Sequence, residues 1–157
     1  MTDIDLRDEP YDAPVAASLV DAVQQEYVER YGGPDDSPVQ PDEFAPPHGR
    51  FLVGYVGTTP VAMGGLRRID ATTVEIKRMY VVPDHRGRGH SRTVLACLEE
   101  LARSLGATRV VLETGLKQPE AMRLYETSGY ERIEGFGHYC GQELSVSYGK
   151  ALAPELG

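Results

Sequence analysis

The 157-residue sequence predicts a mixed α/β (α+β) domain, in which a central sheet carries helices on both faces. Three observations favour this class. Short apolar or alternating stretches, typical of strands, are interspersed with three longer stretches of helical periodicity. Glycine and proline punctuate the boundaries between them. A hydrophobic content of 41% and a charged content of 25% are those of a globular protein and not of a disordered one. We interpret residues 1–157 as a single domain with the order β-α-β-β-β-α-β-α-β-β.

The N-terminal part predicts a short strand at Ile4-Asp5-Leu6, followed by a helix. Asp12 and Pro14 are typical of a helix start, and Gly32-Gly33 of a helix end. The apolar residues between them have helical spacing: Ala16, Leu19, Val20, Val23 and Tyr27. From Gly32 to Arg50, five prolines and several acids with little periodicity predict a functional loop or a short irregular helix.

A hairpin and a long strand make up the middle of the predicted sheet. Phe51 to Tyr55 and Pro60 to Leu66 flank Gly57, which favours two antiparallel strands. An apolar, β-branched stretch from about Thr73 to Val82 predicts the next strand, and Pro83-Asp84 ends it.

The C-terminal half predicts helices alternating with strands. One apolar stripe at helical spacing consists of Val94, Leu98, Leu101 and Leu105. Gly106 ends this helix, Thr108 to Leu112 follows as a buried strand, and Pro119 and Gly129 bracket a third helix. The last predicted segments are strands at Tyr130 to Ile133 and Leu144 to Tyr148, with a loop from Glu134 to Gln142 between them.

The segment Arg86-Gly87-Arg88-Gly89-His90-Ser91, between the middle strand and the second helix, has the composition of a phosphate-binding turn. Its two glycines allow a tight turn and close approach to a ligand, and the following helix aims free N–H groups outward. No lysine follows the glycines, which excludes a P-loop, and Arg92 stands where a dinucleotide fingerprint needs its third glycine. A third pattern, [RQ]xxGx[GA], is satisfied by Arg86 and Gly89, with Ser91 in place of the final glycine or alanine.

Together with two further segments, this turn resembles the GNAT superfamily of acyl-coenzyme A-dependent N-acetyltransferases. Upstream, VEIKRMYV is similar to the central strand of that family, and downstream LETGLKQPEAMRLYETSGY is similar to the second half of its fold. The three segments cover roughly residues 50 to 135, in the order and at the spacing of the family. The resemblance implies a GNAT-like central sheet that is mixed and mostly antiparallel, flanked by helices on both faces. It also implies an N-acetyltransferase that uses acetyl-CoA.

The resemblance further implies where acetyl-CoA binds. Backbone N–H groups from Arg86 to Ser91 would meet the pyrophosphate, and peptide groups from Met79 to Val81 would hydrogen-bond the pantetheine arm as an extra strand does. The Met79 amide would serve as oxyanion donor, and Gln118 stands where many relatives have asparagine. The predicted cofactor-binding residues are Met79, Tyr80, Val81, Arg86, Gly87, Arg88, Gly89, His90, Ser91, Arg92 and Gln118. For the three arginines, a solvated basic helix start is the alternative interpretation.

Amide formation from a thioester needs a base, because an alkyl ammonium has a pKa near ~10.4 in water. Glu75 is the predicted base, since family members often have a catalytic glutamate at this strand position. A strand period of two places Glu75 on one face with Lys77, Met79 and Val81. The alternative interpretation is a glutamate that forms an ion pair with Lys77 or the adjacent arginine in the sheet. Glu113, at the end of the neighbouring strand, is the second candidate base.

Tyr125 is the predicted general acid, because its place in LYETSGY corresponds to the family tyrosine whose hydroxyl approaches the coenzyme A sulfur. Its hydroxyl would either protonate the leaving thiolate or orient it. The alternative is a tyrosine that packs on the apolar face of its helix, four residues after Ala121. Neither Cys97 nor Cys140 is placed for an acyl-enzyme, so we expect direct transfer in a ternary complex.

The net charge of -8 is unevenly distributed. Residues 1–50 hold twelve acids against three bases, whereas residues 51–157 hold twelve acids against thirteen bases. A basic turn in an acidic protein favours a small polyanionic ligand over a nucleic-acid partner. The acidic first third favours a cationic small-molecule amine as acceptor, or else is only a solvated surface. We expect the acceptor site to be shaped by the first helix, the loop at 32–50 and the loop at 134–142.

The four histidines, His48, His85, His90 and His138, lack metal-ligand spacing, so we expect polar surface residues and no metal. Two cysteines, no signal-peptide pattern and no long apolar run predict a cytoplasmic protein without a membrane partner. A homodimer is common among the proteins that the chain resembles. Two other functions stay open: a non-catalytic acyl-CoA-binding sensor, which would be expected to have lost Glu75 and Tyr125, and an acetyltransferase of protein amines.

Overall fold

A computed structural model describes residues 4–137 and 139–153, which form one seven-stranded sheet with three helices. The strands are β1 (Asp5–Asp8), β2 (Gly49–Val56), β3 (Thr59–Arg68), β4 (Thr73–Val81), β5 (Arg109–Gly115), β6 (Glu131–Ile133) and β7 (Ser145–Ala151). The helices are α1 (Pro14–Tyr31), α2 (His90–Ser104) and α3 (Pro119–Thr127), with 3-10 turns at Pro41–Phe44 and Pro83–His85. The predicted order of strands and helices along the chain is confirmed.

The sheet is mixed and mostly antiparallel, as predicted. Its strand order is β1-β2-β3-β4-β5-β7-β6. Every neighbouring pair is antiparallel except β4 and β5, which run parallel near the middle of the sheet. The crossover between these two strands is α2, which is the usual way to connect parallel neighbours. The start of α2 therefore lies at the end of β4 where a ligand can reach both.

Apolar residues pack on both faces of the sheet. α1 covers one face, where Ala16, Leu19 and Val23 form a buried cluster with Phe51 of β2. α2 and α3 cover the other face. The buried residues of that second layer include Leu52, Leu66, Val94, Leu98, Leu112 and Leu124. Phe51 and Leu52 are consecutive and lie in opposite layers, as strand alternation requires. The predicted helices on both faces are confirmed.

The segment between α1 and β2 packs against the α1 face of the sheet. α1 ends at Gly32, whose left-handed φ of 81° lets its N–H donate to the Val28 carbonyl at 2.9 Å. Phe44, in the first 3-10 turn, is buried and stacks on Tyr11 with ring centroids 4.9 Å apart. The segment is thus an irregular loop that contains one short helical turn. Among the helices of the described residues, none is long and apolar enough to cross a membrane.

Candidate active site

The parallel strands β4 and β5 pair only over their first three residues, from Thr73 to Glu75 and from Arg109 to Val111. Beyond Glu75, β4 continues to Val81 with no described strand beside it on that edge. β5 stays paired with β7 on its other edge through Gly115. The two strands therefore separate, and a cavity of about 260 Å³ lies at the opening. The free edge of β4 leaves peptide groups available to an extended ligand.

A β-bulge at Arg78 changes which side chains of β4 face the cavity. Arg78 has a φ of 62°, and the register with β3 shifts by one residue beside it. Before the bulge, Glu75 and Lys77 share the α1 face, as predicted, and their charged groups lie 4.0 Å apart. After the bulge, Met79 and Val81 pack in the apolar layer beneath α2. The prediction that these two residues share a face with Glu75 is wrong, because the extra residue inverts the alternation.

The glycine-rich turn has the geometry that its sequence predicts. Gly87 and Gly89 have φ values of 77° and 81°, and a side chain at either position would meet no atom within 4 Å. Backbone conformation, and not space, therefore requires glycine at both positions. Gly89 is the N-cap of α2, so the free N–H groups of that helix face the turn. Five of the predicted cofactor-binding residues of this segment line the cavity: Arg86, Gly87, Gly89, His90 and Ser91.

The three arginines of the turn are engaged within the protein. Arg86 donates to the Val81 carbonyl at 2.9 Å and pairs with Glu26 of α1 at 2.7 Å. The Arg88 guanidinium lies 3.4 Å from the imidazole of His85, and neither Arg88 nor Arg92 lines the cavity. Arg92 donates instead to the hydroxyls of Thr127 and Ser128 at the end of α3. Binding of phosphate by these side chains stays a prediction, which the geometry supports best for Arg86.

His90, the first residue of α2, is only 4% exposed, so the expectation of a surface histidine is wrong for it. Its Nε2 has no hydrogen-bond partner among the described residues, although His90 lines the cavity. Burial lowers its pKa, and the nearby His85 and Arg88 lower it further, which favours the neutral imidazole. His48 is exposed and His85 is half-buried, whereas His138 lies outside the described residues.

Tyr125 of α3 lines the cavity from the face of the sheet that α2 and α3 cover, with 5% of its surface exposed. Its ring packs against Tyr130 and Tyr148, with centroids 5.7 and 5.9 Å away, which fixes its orientation. Burial raises the pKa of the hydroxyl, and the Tyr27 hydroxyl adds to this effect. No other described residue forms a hydrogen bond with the Tyr125 hydroxyl, which remains available to a ligand.

Glu75 does not line the cavity, although it was predicted to be the base. Its Oε1 accepts from Arg67 Nε at 3.0 Å, and Arg67 also pairs with Glu43 at 3.0 Å. The ammonium of Lys77 lies 4.0 Å from Oε2. The Glu75 side chain is 6% exposed, so its charge is compensated inside the sheet. This geometry favours the alternative interpretation of a structural ion pair, with Arg67 as the main partner, and catalysis by Glu75 stays a prediction.

Glu113, the second candidate base, lies on the cavity wall near the end of β5. Its Oε2 accepts from the Tyr139 N–H at 3.2 Å, whereas Oε1 is buried and has no hydrogen-bond partner in the described part of the chain. Burial raises the pKa of Glu113, and the Glu75 carboxylate raises it further against the opposing effects of the Tyr139 bond and Lys77. Glycine at position 137 leaves room for the Glu113 side chain, because a Cβ atom at that position would lie only 2.4 Å from Oε1. A free oxygen and a raised pKa are the properties of a general base.

A cluster of buried charges lies beside Glu113 on the α1 face. Asp35 accepts a hydrogen bond from Nη1 of Arg78, and its Oδ2 lies 3.9 Å from the Lys77 ammonium. Its Oδ1 accepts from the Tyr139 hydroxyl at 2.6 Å and from the Ser37 hydroxyl at 2.7 Å. Burial raises the pKa of Asp35, but the charges of Lys77 and Arg78 and these hydrogen bonds outweigh it and hold the pKa well below its ordinary value.

The first helix and the two loops predicted to shape the acceptor site meet at this cluster. Gln24 of α1 exchanges two hydrogen bonds with the backbone of Asp35, at 3.0 and 2.8 Å. Tyr139, from the loop at 134–142, bonds both to Asp35 and to Glu113. These contacts join segments more than a hundred residues apart in the chain, beside the opening between β4 and β5.

Several cavity residues were not identified as site residues by sequence reasoning, among them Tyr27, Lys77 and Arg78. For the last two, the available signal was adjacent basic residues inside a mainly apolar strand that also contains Glu75. Tyr27 gave only helical spacing, which does not distinguish a core residue from a site residue. Gln118 was predicted and does line the cavity at the start of α3, where its Nε2 donates to the Tyr31 hydroxyl at 3.3 Å.

A strand pair that opens beside a glycine-rich helix start suits a long phosphorylated ligand whose reactive end lies deep in the sheet. Acyl-coenzyme A is such a ligand, and an enzyme that uses it as donor is an acyltransferase. The chain belongs to the acetyltransferase (GNAT) family, whose model matches residues 18–130. The resemblance stated from the sequence is confirmed, and the protein is an acyltransferase of this family.

Individual relatives agree with this assignment. An "IAA acetyltransferase" of Azospirillum brasilense is 34% identical in an alignment of 143 residues that covers 85% of this chain and 93% of that protein. A Klebsiella pneumoniae structure described as an acyl-CoA N-acyltransferase is 27% identical, with a TM-score of 0.82 over 98% of this chain and 100% of that one. A GNAT family acetyltransferase from Elizabethkingia anophelis with acetyl-CoA bound has a TM-score of 0.66 at 16% identity, covering 95% and 98% of the two chains. This last likeness concerns the fold alone.

Proposed function

We propose that this protein transfers an acetyl group from acetyl-CoA directly to the primary amine of a small molecule. One observation carries the proposal. Glu113 and Tyr125 both line the cavity at the opening between β4 and β5, and neither the buried Oε1 of Glu113 nor the Tyr125 hydroxyl has a hydrogen-bond partner among the described residues. Proton removal from an amine and proton delivery to a thiolate need a carboxylate and a hydroxyl of this kind. The name of the Azospirillum relative, which refers to acetylation of "IAA", supports a small acceptor.

The residues around the opening fit coenzyme A. The left-handed Gly87 and Gly89 and the free N–H groups of α2 suit a diphosphate, and the free edge of β4 from Met79 to Val81 suits the amide groups of a pantetheine arm. The Nε2 of His90, near the same turn, is buried and has no hydrogen-bond partner in the described part of the chain, and a ligand group there would satisfy it. When bound, the coenzyme supplies a thioester, whose carbonyl carbon is the electrophile.

Glu113 is the proposed base. The acceptor enters largely as an ammonium ion, whose positive charge is attracted to the Glu113 carboxylate. Oε1 then takes a proton from the nitrogen, and the freed lone pair attacks the acetyl carbonyl carbon. The bond from Tyr139 to Oε2 holds the carboxylate in place while Oε1 reacts. Glu75, whose charge is compensated by Arg67, would serve mainly to stabilise the sheet near the point where β4 and β5 separate.

Tyr125 is the proposed acid: its hydroxyl would donate its proton to the sulfur as the carbon–sulfur bond breaks. The second proton, which the attacking nitrogen loses as the amide forms, would then return to the Tyr125 oxygen. Packing against two tyrosine rings leaves that hydroxyl little freedom, which favours precise proton delivery. The Met79 amide, next to the bulge, is the proposed donor to the developing oxyanion. Direct attack by the amine is favoured over an acyl-enzyme because neither Cys97 nor Cys140 lines the cavity.

The test has two stages. Calorimetric titration of the protein with acetyl-CoA should give saturable binding, and an excess of free acetate should not displace the acetyl-CoA. Acceptor-dependent release of coenzyme A should then be followed with a panel of small primary amines and lysine-containing peptides, with mass spectrometry of the products. Failure to bind acetyl-CoA would overturn the proposal. Binding without turnover of any amine would make the protein a sensor, and turnover of peptides alone would make it a protein acetyltransferase.

A further inference from the structure

Two buried cations of β4 line the cavity with hydrogen-bonding capacity left over. Lys77 is 8% exposed and Arg78 is 6% exposed. An ammonium has three donors, and that of Lys77 makes one short bond, to the Ser37 hydroxyl at 2.8 Å. The two nearest carboxylates, of Asp35 and Glu75, lie 3.9 and 4.0 Å away, beyond hydrogen-bond distance. At least one donor of this ammonium therefore remains for a ligand.

Arg78 is in a similar state. Its Nη1 donates to Asp35 and its Nε donates to the Tyr11 hydroxyl at 3.3 Å. Its second terminal nitrogen, Nη2, has no hydrogen-bond partner among residues 4–137 and 139–153, and the residue is part of the cavity wall. Asp35 is thus the nearest carboxylate to both cations, and both cations have donors left for a further anion.

The acidic side chains near the cavity carry little negative charge that a cationic acceptor could neutralise. Asp35 pairs with Lys77 and Arg78, and two glutamates of the cavity lining are paired as well, Glu26 with Arg86 and Glu120 with Arg30. Glu43, outside the lining, pairs with Arg67. Of the acids in the first fifty residues, Asp35 and Glu43 thus compensate cations of β3 and β4 and do not form an acidic pocket. Glu113 is the exception, because one of its oxygens has no described partner. The cavity lining therefore includes one carboxylate with an oxygen that has no described partner and two cations with unused donors.

We propose that the acceptor carries a carboxylate as well as its amine, as an amino acid does, and that Lys77 and Arg78 bind this carboxylate. This inference rests on the proposed function, which assigns the amine to Glu113. The amine nitrogen faces Oε1 of Glu113, and the carboxylate lies toward the bulge, where Nη2 of Arg78 and the Lys77 ammonium donate to it. Lys77 and Arg78 are then specificity-determining residues, which select zwitterionic acceptors over simple amines.

The experiment compares acceptors that share one amine and differ in the carboxylate. A set of amino acids is tested beside their decarboxylated amines, for example phenylalanine with phenethylamine and histidine with histamine, and kcat/KM is measured from release of coenzyme A. The decarboxylated amine is the appropriate match because its nitrogen remains strongly basic. We expect the best amino acid to exceed its decarboxylated partner at least tenfold. Equal or greater kcat/KM for the decarboxylated amines would overturn the inference with the unmodified protein alone.

Variants assign the preference to the two cations. Arg78→Gln should reduce the ratio of kcat/KM between acid and amine at least tenfold, and Lys77→Gln should reduce it in the same direction. Arg103→Gln is the matched control, because Arg103 pairs with Glu100 on α2 and lies outside the cavity. An unchanged ratio in both β4 variants would overturn the inference. So would a tenfold loss of acetyl-CoA affinity by calorimetry in Arg78→Gln, since the cation would then serve the cofactor.

The failure of this inference differs from the failure of the proposed function. If simple amines are acetylated as well as amino acids, the acetyltransferase activity stands and only the carboxylate site is refuted. If acetyl-CoA binds but neither set of acceptors releases coenzyme A, the proposed transfer to small amines is itself wrong, and the inference falls with it.

Discussion

Replacement of Glu113 by glutamine separates the two candidate bases. The substitution keeps the shape of the side chain and the acceptor for the Tyr139 N–H, but it removes the oxygen lone pair that takes the proton. Loss of a general base typically lowers kcat by about 10²–10⁴-fold, which corresponds to about 3–5 kcal/mol of transition-state free energy. Affinity for acetyl-CoA should be unchanged. Because burial already disfavours this charge, the free energy of unfolding should stay the same or increase slightly.

The pH dependence gives an independent readout. In the unmodified protein, kcat/KM should rise with pH as Glu113 ionises, with a midpoint above the ordinary carboxyl pKa of about 4.3, because the pKa of Glu113 is raised. This acid limb should disappear in Glu113→Gln. The assay is release of coenzyme A from saturating acetyl-CoA between pH 5 and 9, with the best acceptor of the panel.

Glu75→Gln is the matched control for this reasoning. It leaves part of the Arg67 charge uncompensated in the sheet, although Glu43 still pairs with Arg67. Loss of a hydrogen bond between buried charged groups costs about 2–3 kcal/mol, so the melting temperature should fall by several degrees. Turnover per folded molecule should change much less than in Glu113→Gln. The assignment of Glu113 is refuted if Glu75→Gln abolishes turnover at an unchanged melting temperature while Glu113→Gln remains active.

Three further outcomes are expected. Tyr125→Phe keeps the ring contacts and should leave stability and acetyl-CoA affinity near their original values, while kcat falls by about 10²-fold; full activity would leave the hydroxyl without a role. Gly89→Ala places a methyl group on a left-handed residue, so the free energy of unfolding should fall by about 1–2 kcal/mol and calorimetry should detect weaker acetyl-CoA binding. Asp35→Asn leaves Lys77 and Arg78 without their shared carboxylate and should cost about 3–5 kcal/mol in urea unfolding at pH 7. Because the pKa of Asp35 is lowered in the folded state, its contribution is present above about pH 4 and is lost as pH falls below that value. The two proteins should therefore converge in stability only in acid, and a constant difference down to pH 2 would contradict the assignment.

The order of elements, the glycine turn and the family were readable from the chain because each depends on local pattern. Pro14 and Gly32 delimit α1, and Gly57 lies in the hairpin turn, since their backbone preferences act within a few residues. Gly87 and Gly89 were readable for the same reason, since a left-handed φ is a property of one residue. These features needed no knowledge of which strands are neighbours.

The bulge at Arg78 shows where local pattern was not enough. An uninterrupted period of two predicted one face for Glu75, Lys77, Met79 and Val81. The extra residue in β4 exists only relative to the register of β3, so it is a property of a strand pair and not of one strand. The choice between Glu75 and Glu113 also depends on neighbouring segments, because their strand positions make both of them candidate bases. Their difference depends on Arg67, which comes from β3, and on Tyr139, which comes from a loop near the C-terminus.

By itself, the amino-acid sequence determined which segments are strands and helices, the left-handed glycines of the Arg86 to Ser91 turn, and membership of the GNAT acetyltransferase family. Only the tertiary structure decided which carboxylate is uncompensated, and that two buried cations face the cavity beside it. The reason is physical: backbone conformation is governed by neighbouring residues, whereas the charge of a side chain is compensated by whatever residues the fold brings within a few ångströms of it.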